Sequence, residues 1–358
     1  MRRRRSSAAA PQAGAPVTLR ILASRLSLSP ASVSLVLNRA PGADAIPKHT
    51  QERIRAAAER FGYRPNTLAR SLRRRRSFTI GVMMPEISDG YAALVMSGIE
   101  DFLLQAGYLY FVVSHRHRRD LIDEYPRLML DRAVDGLIAV DTPCERTLPV
   151  PVVAVSGHGR TRGVTNIVLN HDRAAWLALE HLHALGHRRT AFIKGQRFSS
   201  DTDVRWSAIR RAARRLGLAI DRRLVVQLEG DTPTPDLGYA VTRRLLHDGG
   251  GFTALFAFND VSAIGALRAV REAHLRVPED VSIVGFDDIP SAEYQFPALT
   301  TVRQPLRRMG EIAAETLVRR IGAPHARTPR AVALDPELIV RGSTGPSPTW
   351  APPRAKRS

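Results

Sequence analysis

Residues 17–38 read VTLRILASRLSLSPASVSLVLN, and their pattern decides the first part of the fold. Four apolar side chains have the i, i+3, i+4, i+7 spacing of one helical face, namely Leu19, Leu22, Ala23 and Leu26. Ser29 and Pro30 then form a typical helix start, since serine caps a first turn and proline fits the first helical position. The stretch predicts two short helices joined by a tight turn.

A third helix is predicted further along, with apolar residues at Ile54, Ala57, Ala58 and Phe61 and an end at Gly62. The small Ala23 side chain would let the first two helices cross closely. The apolar residues expected to lock that pair are Leu28, Val33 and Leu37. This arrangement is typical of a helix-turn-helix, although Ser27 stands at a turn position that is often glycine.

The second helix is expected to point short side chains outward, at Ala31, Ser32, Ser34 and Leu35. Short side chains let a helix approach base edges, hydroxyls can donate or accept hydrogen bonds, and Ala or Leu can contact a thymine methyl group. The pattern alone also fits a generic three-helix unit of a larger domain. The charge distribution favours the DNA-binding interpretation.

Most of the excess positive charge lies at the N-terminal end. The chain has 358 residues and a formal net charge of +19, and residues 1–77 carry +14 of it, with 17 Lys or Arg and 3 Asp or Glu. The remaining residues carry only +5. Such asymmetry predicts a polyanion partner for the first part of the chain.

The sequence gives little indication of a targeting signal or of functional cysteine chemistry. The basic start at residues 2–5 is followed by small residues rather than an apolar run, so we expect no export signal. No stretch is apolar enough to suggest a membrane span. The single cysteine, Cys144, can form no internal disulfide and fits a reducing compartment. A cytoplasmic protein is expected.

From Phe78 onward, short apolar runs alternate with amphipathic helical patterns. Repeated strand–helix units predict parallel sheets covered on both faces, and there are too many units for one six-stranded sheet. The predicted strands are Thr79–Met84, Tyr108–Val113, Gly136–Val140, Val152–Val155, Thr190–Ile193, Leu224–Gln227, Thr253–Phe258 and Val281–Phe286. The predicted fold is an all-α head-piece followed by an α/β core of two doubly wound lobes, with ligands at the carboxyl ends of the strands.

Five segments are predicted. They are a disordered basic arm (1–16), a helix-turn-helix domain (17–64), a hinge and basic linker (65–77), a two-lobed core (78–343) and a loose basic tail (344–358).

Motifs spread along the chain resemble the lactose-repressor and galactose-repressor family. In the N-terminal part they are Val17-Thr18-Leu19, Ser32-Val33-Ser34, Leu37-Asn38, Gly62-Tyr63-Arg64-Pro65-Asn66 and Ala69-Arg70-Ser71-Leu72. In the core they are Val134-Asp135-Gly136, Gly186-His187-Arg188, Phe258-Asn259-Asp260, Gly285-Phe286-Asp287-Asp288 and Thr300-Thr301-Val302-Arg303-Gln304. The resemblance covers about residues 17–343. It implies a transcriptional repressor, periplasmic-binding-protein-like in its core, that binds operator DNA as a homodimer.

The resemblance also implies which residues contact DNA. The second helix would lie in the major groove, and the hinge would enter the minor groove, where Leu72 would wedge into a base step. The implied DNA-binding residues are Thr18, Leu19, Ser29, Ala31, Ser32, Ser34, Leu35, Asn38, Asn66, Ala69, Arg70 and Leu72. Leu35 stands where relatives often have a polar or charged side chain that reads a base. The operator half-site therefore cannot be inferred from theirs. The Arg73–Arg76 run is unusually basic and should steepen the salt dependence of binding.

A small-molecule effector, with a sugar favoured, is expected between the two lobes. Clefts that bind sugars favour Arg, Asp and Asn, which hydrogen-bond to vicinal hydroxyls. The implied effector-binding residues are Ser88, Asp89, Tyr91, Asn170, His171, Arg205, Asn259 and Asp287. Asn170 stands where many relatives have Asp, and Asn259 or Asp287 could instead cap the following helix.

Two other classes of protein remain alternatives. A transport solute-binding protein would show an export signal and no helix-turn-helix, which is the reverse of what the sequence has. An enzyme on the same fold would need a nucleophile–base–orienter set, and we find none, nor a cofactor motif. The pair His183 and His187 has metal-like spacing but lacks a third ligand, so no metal is expected.

Overall fold

The computed structural model describes residues 17–38, 40–63, 76–87, 90–231, 233–248, 251–324 and 326–348. The chain divides into two compact units, residues 1–77 and 78–358, and each is described by itself below. Among the described residues, no helix combines the length and apolar character needed to cross a membrane.

The first unit is a small helical bundle. Its elements are α1 (Leu19–Leu26), α2 (Pro30–Leu37), a 3-10 turn (Ala43–Ala45) and α3 (Lys48–Arg60). The Ser29 hydroxyl accepts a hydrogen bond from the Ser32 amide at 3.0 Å and caps α2. Ser27 takes the left-handed conformation, with φ of 54°, so this serine makes the turn that glycine often makes. Leu22, Val33 and Ile54 are fully buried and join the three helices.

The second unit contains two lobes, each built on a six-stranded sheet. The first lobe comprises β1 (Thr79–Met84), α4 (Gly90–Gln105), β2 (Leu109–Ser114), α5 (Arg119–Asp131), β3 (Gly136–Val140), β4 (Val152–Val155) and β5 (Val164–Leu169). The second comprises α6 (His171–Ala184), β6 (Thr190–Lys194), α7 (Ser200–Arg215), β7 (Val225–Gln227), α8 (Pro235–His247), β8 (Ala254–Phe256), α9 (Asp260–Glu272), β9 (Ser282–Asp287), α10 (Pro290–Glu293) and β10 (Thr300–Arg303).

The chain then returns to each lobe once more, through α11 (Leu306–Gly322), β11 (Ala331–Leu334) and β12 (Glu337–Ile339). The strand order is β11-β5-β4-β3-β1-β2 in the first sheet and β12-β10-β9-β8-β6-β7 in the second. All neighbours are parallel except β12, which runs antiparallel to β10. Three short segments therefore connect the lobes, near Asn170, Pro305 and residues 335–336.

Both lobes contain a helix pair that packs backbone to backbone through glycines. A Cβ added to Gly98 of α4 would lie 1.8 Å from the Arg307 carbonyl oxygen, and one added to Gly310 of α11 would lie 2.0 Å from that of Val95. Gly238 of α8 and Gly265 of α9 repeat this arrangement in the second lobe, with clashes at 2.1 and 1.9 Å. Because glycine has no side chain, the two backbones of each helix pair can approach this closely.

The prediction of two doubly wound lobes is confirmed, and most predicted elements lie within two residues of the observed ones. The C-terminal tail predicted from Thr344 needs correction in its first residues. The Gly345 carbonyl lies 3.0 Å from Nε2 of buried His187, and the Ser347 amide donates to the Leu185 carbonyl at 2.8 Å. The bond to Gly345 identifies His187 as a structural residue.

Candidate nucleic-acid interface and ligand cleft

The outer face of α2 carries the side chains predicted to read DNA. Ala31 is exposed, and Ser32, Ser34 and Leu35 are half-buried, while Val33 and Val36 of the same helix point into the core. Asn38 donates from Nδ2 to the Ser34 carbonyl and hydroxyl, at 2.8 and 3.1 Å.

The N-terminal ends of the first two helices carry the remaining predicted contacts of this unit. The Thr18 hydroxyl accepts from the Ile21 amide at 3.3 Å and caps α1, where the half-buried Leu19 begins the helix. The hydroxyls of Ser29 and Ser32 lie 2.9 Å apart. Asn66, Ala69, Arg70 and Leu72 lie outside the described residues, so their role remains a prediction.

A cleft of about 650 Å³, part of it open to solvent, lies between the lobes of the second unit. Tyr91, His117 and Asp141 line it from the first lobe, and Arg205 and Asp287 from the second. Further lining residues are Pro85, Glu86, Ala92, Val140, Gln196, Phe198, Ser199, Asp201, Pro233, Phe258 and Asn259. The cleft therefore lies at the carboxyl ends of the strands, as expected for parallel sheets.

Arg205 is the central cation of the cleft, and it is only 3% exposed. Its guanidinium carbon lies 3.6 Å from the centroid of the Phe286 ring and 4.3 Å from that of Phe258. One terminal nitrogen donates to the Phe258 carbonyl, and the other lies 3.1 Å from Oδ2 of Asp201. Among the described residues its Nε is buried without a hydrogen-bond partner.

Asp201 connects the two lobes. Its Oδ1 lies 2.6 Å from Nε2 of His158 in the first lobe and 3.2 Å from Nε2 of His171 in the second. Burial by itself would raise the pKa of Asp201, but His171, His158 and Arg205 together hold that pKa well below its usual range. Asp201 is therefore a carboxylate that three basic groups surround.

The same cluster places three potential metal-ligand atoms, from His158, His171 and Asp201, within 4.8 Å of one another. The Arg205 guanidinium beside Asp201 opposes a cation at this position, since it adds a positive charge 3.1 Å from a carboxylate oxygen. Hydrogen bonds account for the cluster without a metal.

Asp141 forms a second connection between the lobes, at the end of β3. Its Oδ1 accepts from the Ser200 amide at 3.2 Å and the Ser200 hydroxyl at 2.9 Å, both in the first turn of α7. Burial and the nearby charge of Asp201 raise the pKa of Asp141 to about 7. The carboxyl therefore titrates near neutral pH in the folded protein.

The structure brings together four of the predicted effector residues along the cleft: Tyr91, Arg205, Asn259 and Asp287. The Tyr91 hydroxyl donates to Oγ of Ser156 at 2.9 Å. Asn259 both lines the cleft and caps α9, where it accepts from the Ser262 amide at 2.9 Å.

The other predicted effector residues are placed differently. His171 is buried behind the cleft and bonded to Asp201. Asn170 lies at a connection between the lobes, where it caps α6 and donates to Asp335 at 2.9 Å. It is not among the described cleft-lining residues. Ser88 and Asp89 lie outside the described residues.

The sequence reasoning missed the residues that hold the lobes together, Asp141, His158, Ser200 and Asp201. Asp141 directly follows β3, so the rule that ligands lie at the carboxyl ends of strands could have found it. His117 and Phe198 were also missed, and their rings stack across the cleft with centroids 3.5 Å apart. No local pattern marks the others, because each of their contacts joins distant parts of the chain.

A helix-turn-helix unit and a two-lobed ligand cleft in one chain define a DNA-binding regulator under small-molecule control. The HTH-type transcriptional repressor PurR of Aliivibrio fischeri strain MJ11 is 31% identical over 91% of this chain and 98% of its own length. The chain belongs to the lactose-repressor/galactose-repressor (LacI/GalR) family of transcriptional regulators. It is a DNA-binding transcriptional repressor regulated by a small molecule, and its relatives are regulators rather than enzymes.

Further comparisons agree with this assignment. Residues 179–344 match the model of the periplasmic binding protein-like domain. A lac repressor dimer bound to operator and the anti-inducer ONPF superposes with a TM-score of 0.81 and 27% identity, covering 92% of this chain and all of that one. The regulator CelR in complex with cellobiose matches with a TM-score of 0.67 and 28% identity, over 91% of this chain and 99% of that one.

Proposed function

We propose that this repressor reads its operator as a cytoplasmic homodimer through the outer face of α2, with the segment 65–77 as a hinge in the minor groove. The support is the combination of a small, hydroxyl-bearing helix face at Ala31, Ser32 and Ser34 with the +14 charge of residues 1–77. Short side chains allow close approach to base edges, and the basic segments neutralise phosphates. Residues 1–16 serve as a basic arm and 78–343 as the effector-binding core.

We further infer that the effector is a sugar or a sugar derivative. The residues that line the cleft carry donors and acceptors that suit vicinal hydroxyls, namely the guanidinium of Arg205, the amide of Asn259 and the carboxylate of Asp287. Phe198, which is 36% exposed and stacks one ring face on His117, offers an apolar surface for the C–H face of a pyranose or furanose ring. The cellobiose complex of CelR, a structural neighbour, supports the same ligand class.

DNA recognition is tested by selecting duplexes from a random library with the full-length protein at physiological salt. We expect a near-palindromic consensus with two half-sites, since a two-fold dimer reads a two-fold site. Binding without a consensus, lost as salt rises, would mean that the basic segments only attach to polyanions and would refute the proposal.

The effector class is tested by calorimetric titration of the full-length protein with a panel of monosaccharides, disaccharides and nucleobases. We expect a sugar to bind once per chain and Arg205→Lys to weaken it, because lysine lacks the planar set of donors. Arg222→Lys, at an exposed arginine of the second lobe, is the matched control. Binding of a planar nucleobase in place of every sugar would refute the sugar assignment and leave the DNA proposal intact.

A further inference from the structure

The two lobes differ in how helices cover their sheets. In the second lobe, α8 and α9 pack on one face and α6 and α7 on the other. In the first lobe, α4 and α11 cover one face, but among the described residues α5 is the only helix on the opposite face. One sheet face of the first lobe therefore lacks half of the helical cover found in the second.

The missing cover coincides with a connection that contains no helix. Parallel strands usually need a crossover of about a dozen residues or more, most often a helix. The connection from β3 to β4 spans only residues 141–151, and it contains no helix. Leu148 and Val150 of this segment pack beside the sheet, but they do not fill the space that a helix would take.

A pocket of about 1130 Å³, including its part open to solvent, occupies this place. Its floor is apolar and buried, with Met83, Leu137, Ala139 and Val152 each at most 4% exposed. It is separate from the cleft between the lobes, because neighbouring residues of β3 face the two sites. Ala139 lines the pocket, whereas Val140 lines the cleft.

The rim of this pocket carries an excess of positive charge. Arg119 and Arg127 extend from α5, and Arg146 extends from the 141–151 segment. None of the three has a carboxylate oxygen within 4.0 Å among the described residues, in contrast to neighbouring Arg118, which pairs with Asp120. The carboxylates on the same rim number two, Asp123 and Glu145.

We propose that this first-lobe pocket is a second small-molecule site, and that its ligand is an amphipathic anion. The apolar floor would take an aromatic or aliphatic body, and the arginine rim would bind one carboxylate, sulfonate or phosphate group. A free guanidinium binds such groups through paired, charge-assisted hydrogen bonds. Burying the apolar body supplies the remaining affinity.

Anilinonaphthalene sulfonate is a suitable probe, since it joins an aromatic body to one anionic group. The native full-length protein should bind it once per chain, with a rise in fluorescence. The double variant Arg127→Glu and Arg146→Glu should weaken binding about ten-fold or more, through loss of charge-assisted bonds. The double variant Arg222→Glu and Arg197→Glu, which changes exposed arginines outside the pocket, should not. The neutral phenylnaphthylamine should bind wild type and the rim variant alike.

The single cysteine of the chain locates the probe. Cys144 lies in the pocket wall, so saturating anilinonaphthalene sulfonate should slow its alkylation by N-ethylmaleimide several-fold, as measured by intact mass. Circular dichroism of each variant checks that it is folded. Equal binding by the two double variants, or alkylation of Cys144 at an unchanged rate, would overturn the proposal. Failure of the native protein to bind either naphthalene probe, because a second copy of the chain covers the pocket, would also overturn it.

Discussion

Nε2 of His158 in the first lobe lies 2.6 Å from Oδ1 of Asp201 in the second lobe. The carboxylate also contacts His171 and Arg205 of its own lobe, so His158 is the member of this cluster that ties the lobes to each other. A hydrogen bond to a charged group contributes about 1.5–3 kcal/mol. Closure of the lobes is therefore sensitive to this one contact.

The first prediction concerns that contact. His158→Ala should open the cleft more often, because Asp201 keeps its partners in the second lobe and loses the one in the first. Peptides covering residues 157–161 and 199–205 should exchange amide hydrogen at least about ten-fold faster, since every 1.4 kcal/mol lost corresponds to about a factor of ten. His247→Ala is the control, since among the described residues this exposed histidine side chain bonds only to its neighbour Asp248. Unchanged exchange in both peptides would contradict the role of His158.

The second prediction concerns the pH dependence set by Asp141. Its pKa is raised to about 7 in the folded protein from an ordinary value of 3.8, so the folded state binds this proton more tightly than the unfolded chain. Above pH 7 the ionised Asp141 lowers the free energy of unfolding, and this loss diminishes as the pH falls from about 7 to about 4. Asp141→Asn should therefore melt several degrees above wild type at pH 8.

Thermal unfolding followed at half-unit pH steps checks this. The gain from Asp141→Asn should diminish steadily below pH 7, whereas Asp203→Asn, at an exposed carboxylate of α7, should show no such trend. A gain for Asp141→Asn that is constant from pH 8 to pH 4 would show that the carboxyl does not carry the pH dependence.

The third prediction concerns the helix pair α4 and α11. Gly98→Ala places a methyl group where the Arg307 carbonyl oxygen lies, so the helices must separate. Overpacking of this kind costs about 1–3 kcal/mol of unfolding free energy, measured by chemical denaturation. Gly322→Ala, near the end of α11 with no atom within 4 Å of the added Cβ, should be neutral or slightly stabilising. Equal stability of the two variants would refute the close contact.

The fourth prediction concerns the DNA-reading face. Ala31→Glu adds a long anionic side chain to the exposed face of α2 and should weaken binding to the selected operator at least about 100-fold, through a steric clash and charge repulsion. Ala56→Glu makes the same change on an exposed position of α3 and should weaken binding only a few-fold. Fluorescence anisotropy measures both, and similar losses would indicate a purely electrostatic interaction.

Local patterns predict the secondary structure well where one face or both faces are strongly apolar. Helix α1 and strand β1 match their predicted bounds, because their apolar spacing is regular and their ends carry clear caps or turns. Strands β5, β10, β11 and β12 were not predicted. Thr165 and Asn166 interrupt the apolar run of β5, and Thr300 and Thr301 begin that of β10. All four polar side chains are buried.

The cleft could be predicted only in part, for a physical reason. Arg205 and Asp287 occupy positions that the fold itself directs to the cleft, in the second turn of a helix and at a strand end. The contacts His158–Asp201 and Asp141–Ser200 depend on how far the lobes close, and no local spacing encodes that. The open sheet face of the first lobe also emerges only once the helices are assigned to their sheets.

The most direct test of the central claim is operator binding measured with and without the cleft ligand. The duplex recovered by selection is titrated with full-length protein at fixed salt, in the presence and absence of the sugar found by calorimetry. Coupling between two sites typically amounts to about 1–3 kcal/mol, so the operator affinity should change by about 5–150-fold in wild type and by much less in Arg205→Lys. A sugar that binds once per chain and leaves operator affinity unchanged would contradict a cleft that controls DNA binding.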